Sequence, residues 1–403
     1  TLALTGRTVL DVSSGRSLTD ATVLVVDGMI TAVGEANDIA IPAEAEQRDM
    51  QGLTLLPGLI DMHVHLTSNH DYHGYKRLAL SDERKAIHGV INAERTLLAG
   101  FTTVRNVGAG SFGDVALRDA INEGEIPGPR MFVSGPAIGI TGGHCSDNNL
   151  LPPEYALSGD GVADGPWAAR AAVRRNIKYG ADLIKTCSTG GVLSKGTKVG
   201  APQYTLEELE ALVDEAHSHG LKVASHAHGA EGILNALKAG VDTIEHGSFI
   251  NDEGIRLAKK KGAWLSMDIY VTEFILGEGE AAGILEESLA KERKTGQTQR
   301  ANFEKAVNAG VKMIFGTDAG VYPHGQNARQ LSRMTQFGMS PLQALQTATV
   351  NAAAALGKAD QLGQLKPGYH ADIIAVSGNP LEDISLLEEP SLVMKAGFVY
   401  RAP

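Results

Sequence analysis

The stretch Leu55-Leu56-Pro57-Gly58-Leu59-Ile60-Asp61-Met62-His63-Val64-His65 is an apolar run that ends in two histidines two residues apart. Side chains at i and i+2 of a β-strand point to the same face, so His63 and His65 should project together from one strand end. Two converging imidazoles suit a transition-metal ion. An isolated pair of this kind is more often two ordinary histidines at a strand edge. The rest of the chain decides between this explanation and a metal site.

Composition narrows the classes of protein to consider. The chain has 403 residues, 43% of them hydrophobic, which suits one large domain with a smaller one. The net charge of −11 disfavours a nucleic-acid surface, and no apolar run reaches the roughly 18 residues of a membrane span. Cys145 and Cys187 are the only cysteines, so no disulfide framework is indicated. Because Thr1 opens the chain, the compartment stays open between cytoplasmic and exported or periplasmic after leader removal.

Short β signals mark both ends of the chain. Ala21 to Val26 is followed by Asp27-Gly28, a strong hairpin signal, and Met29 to Val33 should be the returning strand. Near the C-terminus, Tyr369 to Val376 and Leu392 to Tyr400 are further predicted strands. We expect the two ends, residues 1–56 and 361–403, to form one small β-sandwich-like domain. Two unrelated terminal β patches are the alternative.

Strand and helix signals alternate between these ends, in an α/β pattern. After the first strand at Leu55, further apolar strand-like runs occur at Phe101–Val107, Met131–Val133, Asp182–Lys185, Lys222–His226, Asp242–His246, Ala263–Asp268 and Lys312–Gly316. Thr205 to Glu208 has the form of a capping box, and Ser340-Pro341 should open the last helix. Eight β/α repeats predict a TIM (β/α)8 barrel over residues 57–360. A doubly wound sheet would need a GxGxxG fingerprint near its first strand, and none stands there.

Residues with metal-binding or acid–base chemistry follow the predicted barrel strands, at the ends where TIM barrels hold their active sites. They are His63, His65, His144, Lys185, His226, His228, His246 and Asp318. Independent structural histidines would not occupy strand ends repeatedly, so the set indicates a metal centre. Two divalent ions need more negative charge than imidazoles and Asp318 supply, and Lys185 would provide it as a carbamate formed with carbon dioxide. Taken alone, Lys185 is more simply a buried lysine paired with an acid.

At these residues the chain resembles the amidohydrolase superfamily over nearly its whole length. The likeness rests on PGLIDMHVH, the lysine of the fourth barrel strand, the histidines of the fifth and sixth, and GTDAG at the eighth. It implies two Zn2+ per subunit, bridged by carboxylated Lys185 and a hydroxide. His63, His65, Lys185 and Asp318 would hold one ion. Lys185, His226 and His246 would hold the other.

Within the superfamily, the chain looks most like metal-dependent dipeptidases and carboxypeptidases that release a C-terminal amino acid. Thr141–His144, Thr189–Val192 and Ser225–Gly232 carry this likeness. Prolidase-like members tend to have tyrosine where His228 stands, which favours the Xaa-Arg/Xaa-Lys type. Hydrolysis of Xaa-Pro dipeptides or of N-acyl-phenylalanine compounds such as ochratoxin stays as an alternative. The expected partners are a dipeptide or N-acyl amino acid and further copies of the chain, since relatives form homo-oligomers that are often octamers.

The same resemblance, with positions near strand ends, suggests roles around the centre. Asp318 is the expected proton-transfer group, and His228 should stabilise the oxyanion. Substrate-binding candidates are His144, His228, His324, Ser68, Asp268 and Tyr270. For a basic leaving residue, Asp268 and Glu273 are candidate acids. Several of these residues also have a non-functional explanation. His324 could be a surface-loop histidine, Asp268 and Glu273 could be solvated acids, and Ser68 could cap a turn.

Two other functions compete with this prediction. An imidazolonepropionase-like or deaminase-like enzyme with one metal needs no lysine on the fourth strand, so Lys185 argues against it. A non-catalytic barrel scaffold should lack some ligands, whereas every expected position is filled. Metal content separates the three functions.

Overall fold

The strands of the protein are described from a computed structural model that covers residues 1–145 and 149–403. In chain order they are β1 (Leu2–Asp11), β2 (Arg16–Val26), β3 (Met29–Glu35), β4 (Glu46–Asp49), β5 (Thr54–Pro57), β6 (Leu59–Val64), β7 (Phe101–Asn106), β8 (Arg130–Val133), β9 (Ile184–Cys187), β10 (Val223–Ala227), β11 (Thr243–His246), β12 (Trp264–Ser266), β13 (Met313–Ile314), β14 (Ile373–Val376), β15 (Leu392–Lys395) and β16 (Phe398–Arg401). Strands β7 to β13 overlap seven of the predicted barrel strands. The first, predicted from Leu55, is divided, because Leu55 lies in β5 of the other sheet and the barrel strand β6 begins at Leu59.

Helices alternate with the central strands. They are α1 (Asp82–Leu98), α2 (Gly113–Asn122), α3 (Pro166–Lys178), α4 (Leu206–Ser218), α5 (Ala230–Ala239), α6 (Asp252–Lys261), α7 (Val271–Gly277), α8 (Gly279–Ala282), α9 (Glu286–Asn308), α10 (Arg329–Gln336), α11 (Pro341–Thr347) and α12 (Val350–Leu356). Thr205 caps α4 with the predicted capping box, and Ser340 caps α11 in the same way. The last predicted helix is divided into α11 and α12, because Thr349 leaves helical geometry at φ −133° and ψ −98°.

The central strands are parallel and follow one another in barrel order. β6-β7-β8 form one sheet and β9-β10-β11-β12-β13 form another. The ladders between described residues do not close the ring, but single contacts cross both gaps. The Asp182 amide donates to the Val133 carbonyl at 2.7 Å, and the Met62 amide donates to the Phe315 carbonyl at 2.8 Å. Strands β6, β9, β10 and β11 are buried throughout, as expected for parallel strands covered on both faces.

A second sheet takes its strands from both ends of the chain. Its order is β16-β15-β14-β5-β1-β2-β3, and β4 pairs with β1. Asp27 and Gly28 have positive φ values of 48° and 79°, and they form the predicted turn between β2 and β3. The predicted strand at Leu392 to Tyr400 is instead a hairpin, because Ala396 and Gly397 also adopt positive φ. The strands from both chain ends form a single mixed sheet. The sandwich-like arrangement and the domain boundaries therefore stay predictions.

A disulfide joins the segment after β8 to the end of β9. It pairs Cys145 with Cys187, whose Cα atoms are 5.8 Å apart, although the count of two cysteines did not indicate it. Cys145 directly follows His144, and Cys187 is two residues beyond Lys185. The disulfide therefore ties a predicted substrate-binding histidine to the strand that carries the predicted bridging lysine. Separately, no helix among the described residues is long and apolar enough to cross a membrane.

Candidate metal centre

His63 and His65 leave the end of β6 toward the centre of the barrel. His63 is 1% exposed, and its Nδ1 lies 2.9 Å from Glu245 Oε2. Because a carboxylate only accepts hydrogen bonds, Nδ1 carries the proton and Nε2 keeps a free lone pair. Arg105 Nη2 donates to the other Glu245 oxygen at 2.6 Å. This arrangement, in which an acid orients a histidine, is typical of metal ligands.

Asp318 lies in the segment after β13, and its side chain approaches both histidines. Its Oδ1 lies 3.4 Å from His63 Nε2 and 3.3 Å from His65 Nε2. The Asp318 amide donates to the His63 carbonyl at 2.8 Å, and its φ of 59° turns the side chain inward. Burial opposes ionisation, but the electrostatic interaction with His63 and His65 holds the pKa of Asp318 well below its usual value. The side chain is therefore an anion that faces two imidazoles.

Three more histidines stand at the ends of β10 and β11. The ring centroid of His226 lies 4.5 Å from that of His246 and 4.7 Å from that of His228. His246 Nδ1 lies 3.0 Å from Asp268 Oδ2, so this imidazole is also oriented by an acid. Gln299 donates to the other Asp268 oxygen at 2.7 Å. The acid–histidine pairing at His63 thus recurs on the other side of the centre.

The charge states of these imidazoles suit metal ligands. Burial, followed by the repulsion of neighbouring histidines, holds the pKa values of His226 and His228 well below the usual value. Both rings are therefore neutral and keep a lone pair. Ligand atoms of His226, His228 and His246 lie within 4.8 Å of one another, as do those of His63, His246 and Asp318. The donor set fits metal binding.

Lys185 lies on β9 and points into the same cavity. It is 2% exposed, and burial lowers the pKa of its amine to about 8. Within residues 1–145 and 149–403, no acid lies within ion-pair distance of its amine. The simple alternative of a buried lysine paired with an acid is therefore not what the described residues form. Whether Lys185 is carboxylated stays a prediction.

A cavity of about 800 Å³ opens above these residues. This size suits a small-molecule site. Of the predicted residues, its walls include His63, His65, Ser68, His144, Lys185, His226, His228, His246, Asp268 and Asp318. The His144 ring stacks on that of His226 at 4.2 Å, and its Nδ1 lies 2.7 Å from Ser194 Oγ. The structure thus brings together all the predicted metal ligands and three of the predicted substrate-binding residues besides His228.

Three predicted residues have other surroundings. His324 is buried behind the centre, with Nδ1 at 3.1 Å from Thr96 Oγ1 and Nε2 at 3.1 Å from the His65 carbonyl. The Tyr270 hydroxyl accepts from Arg329. Glu273 is paired with arginines at positions 300 and 333. None of the three is among the residues that line the cavity.

Sequence reasoning missed several residues of the site. Arg105 and Glu245 are buried charges inside apolar strands, a signal that could have identified them as partners. Arg77 and Glu292 line the cavity, but no motif points to them. Glu292 reaches the cavity because one face of α9 packs along its wall. Local sequence patterns do not report such a contact.

Comparisons with known proteins agree with this geometry. The profile of the amidohydrolase family matches residues 54–399. The ochratoxinase of Aspergillus niger is 34% identical over 416 residues, which cover 96% of this chain and 84% of that protein. A solved Xaa-Pro dipeptidase with methionine bound in its active site has a TM-score of 0.94 and 37% identity, with 100% of both chains covered. A prolidase complexed with N-methylphosphonate-L-proline has a TM-score of 0.92 and 31% identity, again with 100% of both chains covered. The chain therefore belongs to the amidohydrolase family, and these relatives support a hydrolase that acts on amide bonds.

Proposed function

We propose that the protein hydrolyses the amide bond that releases a C-terminal amino acid from a dipeptide or an N-acyl amino acid. The observation that carries the proposal is the meeting of histidines, Asp318 and Lys185 at the floor of one cavity of about 800 Å³. Such a site suits a metal-dependent attack on a small amide substrate. The preferred substrates are of the Xaa-Arg/Xaa-Lys type.

The proposed centre contains two zinc ions. His63, His65, carboxylated Lys185 and Asp318 would hold one ion, and Lys185, His226 and His246 the other. When bound, the ions would polarise the amide carbonyl and lower the pKa of a water molecule toward neutrality. The acids behind His63 and His246 support this assignment, because they fix the tautomer in which Nε2 can bind a metal.

Asp318 is the proposed proton-transfer group. Its carboxylate is ionised and lies against two imidazoles at the cavity floor. It would accept the proton of the attacking water and pass it to the nitrogen of the leaving amine. The C–N bond breaks as this nitrogen is protonated, and the released amino acid departs with a neutral amine.

His228 is proposed to stabilise the negative charge that develops on the carbonyl oxygen. Its Nδ1 lies 2.8 Å from Ser248 Oγ. Donation by the Ser248 hydroxyl to Nδ1 leaves the imidazole proton on Nε2, the tautomer that can donate to an oxyanion. The low pKa of His228 favours this neutral form. His144 and Ser68, which also line the cavity, would contact the substrate beside the bond.

A second pair of substrates is supported by the relatives. Similarity to ochratoxinase favours release of phenylalanine from a bulky N-acyl compound, and similarity to the Xaa-Pro dipeptidase and the prolidase favours release of proline. The chemistry at the metal centre is the same for all of these, so they differ only in what the cavity accepts. Assembly into a homo-oligomer, with the octamer as its expected form, is part of the same proposal.

The direct test is a screen of zinc-loaded protein for release of the C-terminal amino acid. The panel contains Xaa-Arg, Xaa-Lys, Xaa-Pro and Xaa-Phe dipeptides, N-acetyl amino acids and ochratoxin. Release from the basic dipeptides at the highest kcat/KM is expected, and removal of the metal should abolish it. If the zinc-loaded protein releases no amino acid from any member of the panel, the proposed function is wrong.

A further inference from the structure

One face of α9 forms a wall of the cavity. Leu285 precedes the helix, and Ser288, Glu292, Thr295 and Gln299 follow at spacings of three and four residues, so all of them share this face. Glu292 is 4% exposed and is the one ionisable residue of the five. The helix therefore presents a buried carboxyl group to the substrate cavity.

Glu292 has little that compensates its charge. Among residues 1–145 and 149–403, only the Thr272 hydroxyl on α7 donates a hydrogen bond to its carboxyl group. The neighbouring Lys291 turns away and donates to the Ser194 carbonyl at 2.7 Å. Arg300, which also lies on α9, attracts the Glu292 charge from a distance but gives its hydrogen bonds to the Ile269 carbonyl and to Glu273. A buried carboxylate with a single hydrogen bond is costly unless a cation reaches it.

The two acids expected from sequence to bind a basic side chain are engaged elsewhere. Asp268 accepts hydrogen bonds from His246 and Gln299, and Glu273 is paired with two arginines. Two further buried acids, Asp61 and Asp114, are each satisfied by several hydrogen bonds. Neither of these lines the cavity, whereas Glu292 does.

The packing around Glu292 leaves room for its carboxyl group. A side-chain carbon on Gly296, one turn further along α9, would lie 2.5 Å from Thr272 Oγ1 and 2.8 Å from Glu292 Oε1. Glycine inside a helix is less favourable than alanine. Its presence here is explained by the space that the Glu292–Thr272 pair requires. The packing of α9 against α7 at Gly296 thus accommodates the Glu292–Thr272 pair in the cavity wall.

Apolar side chains from α7 and from the segment before α9 line the same cavity. They are Val271, Ile275, Ile284 and Leu285. Lysine and arginine side chains combine a methylene stem with a cationic end, which matches an apolar wall that ends in a carboxylate. We infer that Glu292 selects a cationic side chain on the released amino acid, an inference that rests on the proposed function.

Burial and the nearby Asp268 raise the pKa of Glu292 to about 7. A cation that binds against it favours the ionised form, so substrate binding and ionisation reinforce each other. A neutral substrate provides no such compensation. The acid therefore discriminates between side chains of similar length and different charge.

The test compares zinc-loaded wild type with Glu292→Gln on N-acetyl-L-lysine and N-acetyl-L-norleucine. Norleucine keeps the methylene stem without the ammonium group, and neither compound has a free α-amine. Wild type should prefer the lysine compound by at least about 30-fold in kcat/KM, and the variant should lose this preference. Hydrolysis of the norleucine compound should change by no more than about threefold. Glu304→Gln, an exposed substitution on the same helix, is the matched control and should keep the wild-type preference.

Several outcomes overturn the inference while the proposed function stands. One is a wild type that prefers norleucine, and another is an unchanged preference in Glu292→Gln. A third is a variant that is slowed only on dipeptides with a free α-ammonium group, since Glu292 would then bind the amino terminus. If no substrate is cleaved, the proposed function fails, and calorimetry with free L-lysine and L-norleucine decides the role of Glu292. Tighter lysine binding that is lost in the variant supports the inference, and equal binding overturns it.

Discussion

Single residues behind the centre hold its ligands in position. Glu245 is fully buried, accepts from Arg105 at 2.6 Å, and lies 2.9 Å from His63 Nδ1. Burial opposes ionisation of Glu245, but Arg105 and His63 hold its pKa well below the usual value. One carboxylate thus neutralises a buried guanidinium and orients a predicted metal ligand at the same time.

Glu245→Gln should therefore affect both stability and metal binding. It leaves the Arg105 charge buried without a carboxylate, which should lower the free energy of unfolding by about 3 kcal/mol. Loss of the acid behind His63 should weaken zinc binding about 10- to 100-fold. Urea unfolding and competition with a chelator measure the two effects, with exposed Glu253→Gln as control. Unchanged zinc affinity would contradict the role given to Glu245.

Asp318→Asn should remove turnover and leave the fold intact. The amide cannot take up the proton of the attacking water, so kcat should fall by at least about 1,000-fold. Steady-state kinetics measures the loss, while circular dichroism and metal analysis check that the variant is folded and loaded. A folded, loaded variant with near-normal kcat would exclude Asp318 as the proton-transfer group.

At the scale of single residues, the sequence predicted which residue types form the site better than it predicted where each side chain points. The histidines at strand ends are brought together because parallel strands end at the same side of the barrel. His324 follows the last barrel strand as well, but its ring is turned under His65 and away from the cavity. Side-chain direction in a loop depends on packing that no local motif records.

At the scale of elements, the disulfide fixes the segment that carries His144. It spans 42 residues between Cys145 and Cys187. Closing a loop of this length stabilises the folded state by about 4 kcal/mol in the chain-entropy view. Because Cys145 directly follows His144, the disulfide restrains the segment that places the His144 ring against His226.

Cys145→Ser should thus lower the free energy of unfolding by up to about 4 kcal/mol. It should also raise KM, because His144 is less firmly held. Urea unfolding and kinetics measure these changes, and wild type with a reductant should behave like the variant. Titration of two free thiols in the untreated native protein would contradict the pairing.

Helices α3 and α4 are joined by a cluster of charges around Glu215. Its carboxylate accepts from Arg174 Nε at 2.6 Å and from Arg170 at 3.2 Å, and His219 lies 3.2 Å away. The hydrogen bond from Arg174 is the largest effect, and together these contacts lower the pKa of Glu215 from 4.5 to about 2. The stabilisation is present above the unfolded-state value and is lost as pH falls through the folded-state value.

Glu215→Gln should accordingly be less stable than wild type at pH 7. The difference should narrow as pH falls from about 5 to about 2, because Glu215 is protonated first in the unfolded state and, near pH 2, in the folded state as well. Urea unfolding across this range measures it. A difference that stays constant with pH would show that the cluster does not act through the charge of Glu215.

Element by element, strands were easier to predict than the helices that cover the cavity. The barrel strands are short apolar runs bounded by turn signals, and their local pattern is sufficient. The segment from α7 to α9 is different, because its position over the cavity depends on contacts with distant residues. That segment supplies Glu292, which explains why the sequence did not reveal this residue.

At the scale of the whole molecule, both chain ends pack into one sheet beside the barrel. Leu4, Val23, Ile30, Leu55 and Ile373 form part of a separate apolar cluster within that sheet. Because β5 belongs to this sheet and β6 begins two residues later, the strand that carries His63 is anchored at its start. The opening stretch Leu55 to His65 thus links the sheet to the metal centre.

In the proposed centre, two metal ions at the cavity floor share Lys185. The decisive measurement is the zinc content per chain, determined by mass spectrometric metal analysis on protein that is prepared with zinc and bicarbonate and then freed of loosely bound ions. About two zinc ions per chain are expected for wild type, and at most about one for folded Lys185→Ala. One zinc per chain in wild type, or none, would contradict the two-metal centre.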